Sequence, residues 1–130
     1  MPLQHKEQTL LDQVTATTTS APMNVEGYRH IGLQFVRANH SAGSTAFTVE
    51  GTIDGTNWVA LNVLLKNIVA DAGAGTAGED IGNTRVASVT LSANGSEIVW
   101  IEPIFALKAI RAIATETTDG THSVYAIASE

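Results

Sequence analysis

Apolar and polar side chains alternate most clearly in Ala46-Phe47-Thr48-Val49-Glu50-Gly51-Thr52-Ile53, with Phe47, Val49 and Ile53 on one side and Thr48, Glu50 and Thr52 on the other. An extended chain points successive side chains to opposite faces, so this period-two row predicts a strand buried on one side. Asp54-Gly55-Thr56-Asn57 follows, a turn in which glycine adopts a positive φ at little cost. The chain then returns through residues 58–64, completing a β-hairpin.

Asn94-Gly95 signals a second hairpin. Ala87, Val89 and Leu91 alternate before it, and residues 98–101 form a short apolar run after it. Both turn residues tolerate the left-handed backbone that tight hairpins require. Asp119-Gly120 marks a third turn, followed by a strand over residues 123–128. The preceding stretch, residues 104–118, carries two signals. Ile104, Leu107, Ile110 and Ala114 recur at helical spacing after Pro103, whereas Ile110, Ile113 and Thr115-Glu116-Thr117-Thr118 favour an extended chain. The β-branched content tips the expectation to a long strand. Upstream, residues 28–38 read as a strand with Ile31, Leu33 and Phe35 on one side. Residues 9–19, rich in Thr and Val, supply one or two more, and Pro22 and Met23 form a connection.

Short strands joined by Gly, Asn and Asp turns predict an all-β fold. The expected form is a β-sandwich or jelly roll of about eight antiparallel strands. The 130 residues make one domain, 1–130, with residues 1–11 as an N-terminal arm. That length suffices to bury roughly two-thirds of the unfolded surface. Residues 67–84 stand apart as one long Gly/Ala-rich loop, NIVADAGAGTAGEDIGNT. Loops of that length are uncommon in small domains and are either weakly ordered surface excursions or functional, here as a segment that orders against a neighbouring subunit.

Charge and composition narrow the function. Charged residues make up 15% of the chain, below the usual ~25%, and Thr, Ser, Ala, Asn and Gly take their place. No cysteine is present, which removes disulfides and thiolate chemistry. The net charge is −6, and Lys6, Arg29, Arg37, Lys66, Arg85, Lys108 and Arg111 are scattered, so no nucleic-acid partner is expected. No apolar run approaches the ~20 residues of a membrane helix, and the N-terminus lacks a signal-peptide core. A soluble protein made in the cytoplasm, without a membrane partner, is expected.

No catalytic, cofactor or metal site is expected. His5, His30, His40 and His122 fit no metal-ligand spacing and read as turn or surface residues. No GxSxG elbow surrounds any serine. Asp71, Glu79 and Asp80 lack the regular spacing of a calcium loop. The letters G-x-G-x-x-G over Gly73, Gly75 and Gly78 precede a strand rather than a helix, against the nucleotide-binding arrangement. Trp58 and Trp100 are expected to anchor the core.

The stretch V-E-G-T-I-D-G-T-N-W, residues 49–58, resembles a strand-turn-strand pattern of small virion proteins of tailed bacteriophages. These include β-sandwich decoration (cement) proteins of capsid shells. The Thr-rich start at residues 15–20, the Gly/Ala-rich middle and T-T-D-G-T-H-S-V-Y at residues 117–125 are similar in style. The resemblance implies a non-enzymatic virion protein that stabilises an assembled phage shell. Its partners would be the major capsid protein or other virion proteins, and it would form a homo-oligomer, in the first instance a trimer. The residues expected to bind partners are Pro2, Leu3, Gln4, Leu10 and Leu11 of the arm, and Asn67, Ile68, Val69, Asp71, Gly73, Gly75, Gly78 and Ile81 of the loop. A D-G-x-x-W turn also occurs in discoidin-like and other carbohydrate-binding sandwiches. A glycan-binding module, or a tail or fibre accessory protein, is therefore the alternative.

Overall fold

The computed structural model describes residues 4–65, 84–102 and 106–130. Its strands are β1 (His5–Val14), β2 (Thr18–Thr19), β3 (Met23–Asn24), β4 (His30–Ala38), β5 (Thr45–Thr52) and β6 (Val59–Leu61). They continue with β7 (Val63–Leu65), β8 (Thr84–Val86), β9 (Val89–Leu91), β10 (Gly95–Ile101), β11 (Ala109–Glu116) and β12 (Thr121–Ser129). No helix occurs among the described residues. One sheet runs β1-β12-β4-β10-β7-β8; the other runs β2-β11-β5-β6, with β3 also on β11 and β9 also on β5. Every pairing is antiparallel. The fold is an all-β sandwich.

Period-two burial builds the core. Ile31, Leu33 and Phe35 of β4 point inward, as do Phe47 and Val49 of β5, Ile110, Ala112 and Ala114 of β11, and Val124, Ala126 and Ala128 of β12. Phe35 of the first sheet stacks on Phe47 of the second, with ring centroids 4.8 Å apart and planes 7° apart. Burying such a ring contributes about 1.5–3 kcal/mol. This stack fastens one sheet to the other.

Several expectations change. The strands number twelve among the described residues rather than about eight, because β2, β3 and β6 to β9 are two- or three-residue pieces. Residues 58–64 are not one strand: the chain leaves β6 in the second sheet and enters β7 in the first across Asn62. Asn94-Gly95 closes no hairpin. β9 pairs with β5, β10 pairs with β4 and β7, and Gly95 lacks a positive φ, so the dipeptide forms a corner between sheets. Met23 is a fully buried strand residue, not a connector. Residues 104–118 do hold a strand, β11.

The arm is likewise strand from His5 onward, paired along β12. Register shifts after Thr9 and Leu11 bulge β1, which lets consecutive Leu10 and Leu11 both enter the core. Their burial accounts for both leucines without a partner.

Candidate functional site

Three features outside the apolar core invite a functional reading: a buried polar cluster, an apolar trough and an apolar hairpin tip. The cluster closes one end of the sandwich. Arg37 follows Ile31, Leu33 and Phe35 in the inward row of β4 and is only 1% exposed. Its guanidinium donates to Thr45 Oγ1 and to the carbonyl of Ala42 at 2.8 Å, and it meets His40 Nδ1 at 3.0 and 3.2 Å. The carboxylate of Asp119 lies 3.9 Å away.

Thr45 Oγ1 also lies 2.8 Å from Nδ1 of His122, which is fully buried. While accepting from Arg37, that oxygen keeps both its own hydrogen and a second lone pair for Nδ1. Nε2 has no hydrogen-bond partner among the described residues, and Glu116 Oε1 is 3.9 Å away. Burial holds the His122 pKa below the ordinary histidine value; the Glu116 carboxylate opposes the shift and the Arg37 charge adds to it. His122 is thus a core residue, contrary to the surface placement expected of the histidines.

Asp119 accepts from the hydroxyl of Ser41 and from the amides of Ser41 and Ala42. These contacts, the Ser41 hydroxyl foremost, keep its carboxyl below the usual range. The amide of His40 donates to Asn94 Oδ1 at 2.8 Å, tying in the corner before β10. Thr45 and His122 form a hydroxyl–imidazole pair, but both are sealed from solvent. No serine hydroxyl among the described residues bonds a histidine. The cluster fastens the loops after β4 and before β12 to the end of the sandwich.

The trough lies on the outer face of the first sheet. Gly32 sits at its centre, opposite Trp100 of β10 and Ile127 of β12, with Gln34, Ile98 and Tyr125 one pair further along. Because Gly32 has no side chain, a trough of about 520 Å³ opens, lined also by Glu7 and Thr9 of β1. Ile98, Tyr125 and Ile127 are 45%, 41% and 46% exposed. The outer face of the second sheet differs. Glu50 and Arg111 pair there at 2.7 Å, and the Arg111 guanidinium covers Trp58 at 4.4 Å. Trp58 and Trp100 are both half-buried and neither joins the core, contrary to expectation.

The tip is the turn between β5 and β6. The strand ends at Thr52, so Ile53 leaves the inward row and projects into solvent, 76% exposed, beside Val59 at 66%. A second hollow, about 420 Å³, lies between them and Leu61 and Leu107. Asp54 holds the turn: it accepts from the amides of Thr56 and Asn57, the hydroxyl of Thr52 and the Asn57 side chain. The Asn57 amide above all, then its side chain and the Thr56 amide, pull the Asp54 pKa far below the usual carboxylate range. Gly55, at φ +83°, completes the turn as the sequence indicated. Ile53 and Val59 are exposed on a built turn.

Of the residues expected to bind partners, Gln4 is an exposed edge residue bonded through its amide to Glu130. Leu10 and Leu11 are core. Pro2, Leu3, Asn67, Ile68, Val69, Asp71, Gly73, Gly75, Gly78 and Ile81 lie outside the described residues. The trough and the tip were missed by the sequence reading. The unbroken apolar runs at residues 98–101 and 124–128 carried the signal for the trough, since a strand with apolar residues on both faces loses its alternation.

No family model matches the chain, and no curated protein matches its sequence. Solved structures do share its fold. SPBc2 prophage-derived protein YomS is similar over all of this chain and 96% of its own, with TM-score 0.66 and 13% identity. PBSX exported protein XepA is similar over all of this chain, with TM-score 0.69 and 13% identity; the chain spans 39% of XepA. At such identity the likeness is one of fold.

Proposed function

We propose that the chain is a non-enzymatic structural protein of a bacteriophage particle. In its specific form it is a decoration protein that reinforces the assembled shell through contacts with the major capsid protein, other virion proteins and further copies of itself. The apolar outer face of the first sheet carries this reading. All five of the exposed large apolar side chains among the described residues fall in the trough or at the tip. Grouped exposure of that kind marks a contact surface. The full-length fold likeness to a prophage-derived protein supports a phage setting. A protein that binds only the assembled state stabilises it by mass action, and repeated weak contacts add avidity.

Mass spectrometry of purified particles from the encoding phage should find the chain in fixed proportion to the major capsid protein. Recovery only from the unassembled fraction of the lysate contradicts the reading. A glycan-binding role is the second reading, favoured by Trp100 and Tyr125 beside Gln34 in the trough. Saturable quenching of Trp100 fluorescence by neutral oligosaccharides distinguishes it.

A further inference from the structure

The trough and the tip lie on different sheets and differ in shape and charge. Ile53 and Val59 project at 76% and 66% exposure, whereas Ile98, Tyr125 and Ile127, at 41–46%, surround a hollow. Glu7 is the charged side chain lining the trough, and it makes no ion pair among the described residues. Lys108 lies over the tip: a Cβ on Gly55 would stand 3.5 Å from its Nζ. Its ammonium is likewise unpaired among the described residues, while the Asp54 oxygens beside it are occupied by their own turn.

We infer that the tip of one copy docks into the trough of the next, Ile53 and Val59 against Trp100 and Ile127, with Lys108 of one facing Glu7 of the other. The occupant is a second copy of this chain. Pairing trough to trough would oppose two Glu7 carboxylates and leave the tip in water. Pairing tip to tip would leave the trough open. Seating the tip in the trough buries both patches and sets Lys108 against Glu7. Such a contact closes either as a reciprocal pair, each tip in the other's trough, or as a head-to-tail ring. The inference rests on the reading that the protein works through surface contacts, and it names one of them.

Light scattering coupled to size exclusion tests it on the whole chain. The wild type should run as a discrete closed oligomer, a reciprocal dimer or a ring, and Ile53→Asp and Ile127→Asp should each run as a monomer with an unchanged far-ultraviolet spectrum. Mixed together, they should form a one-to-one dimer, because the intact tip of one fits the intact trough of the other. Glu7→Lys and Lys108→Glu provide a second route that spares the apolar residues: each should weaken the oligomer and the double variant restore it. A monomeric wild type, or mixed variants that stay monomeric, overturns the inference. Finding the monomer still built into particles would sink this contact and leave the virion role standing.

Discussion

At the residue scale the least ordinary feature is a cation and an imidazole set in a sandwich core. Arg37 holds its place because its donors are met by Thr45, His40 and the Ala42 carbonyl. Arg37→Met should therefore lower stability by about 1.5–3 kcal/mol, read from the urea midpoint, as expected for losing hydrogen bonds to a charged group. His122 adds a pH dependence. Its folded-state pKa lies below 6.5, so between the two values the unfolded chain binds a proton that the folded chain does not. Stability should fall as pH drops through about 6.5 and level off beneath the folded value. Removing the imidazole as His122→Asn should flatten that slope from neutral pH to about pH 5; an unaltered slope would place the titration elsewhere. Both residues occupy inward positions of legible period-two rows, after Phe35 and before Val124. The rows located them, but residue type argued for the surface. Only the hydrogen bonds from neighbouring loops, remote in sequence, resolve that conflict.

At the scale of elements, the β5–β6 turn and the Phe35–Phe47 stack do most to fix local shape. Phe47→Ala should cost about 3–5 kcal/mol in urea unfolding, as a large core ring lost between two sheets. Asp54→Ala should leave the fold intact but speed exchange of the Thr56 and Asn57 amides roughly fivefold or more, since both lose their acceptor. Unchanged exchange would mean the turn is held by other contacts. The β5–β6 hairpin was readable because alternation, glycine and a capping aspartate all lie within a dozen residues of one another. Asn94-Gly95 misled for a physical reason. Turn chemistry records how sharply the chain bends and not which sheet each flanking strand joins, and here β9 and β10 part company. The Asn62 crossing had no local signal at all, since a short step between sheets needs neither Gly nor Pro.

For the whole molecule, the two outer faces divide the labour. The second sheet turns a polar surface outward, with the Glu50–Arg111 pair over Trp58, while the first presents Ile98, Trp100, Tyr125 and Ile127. A sandwich working alone alternates polar residues on both outer faces, and the proposed function has the apolar face covered in the particle. Hydroxyl-radical footprinting addresses this directly, because tryptophan, tyrosine and isoleucine side chains report their own exposure. Oxidation of Trp100, Tyr125 and Ile53 should fall sharply in protein incorporated into particles compared with the monomeric Ile127→Asp variant. Equal oxidation of Trp100 and Tyr125 in the two states would contradict the account, since the face on which it depends would then stay open to water.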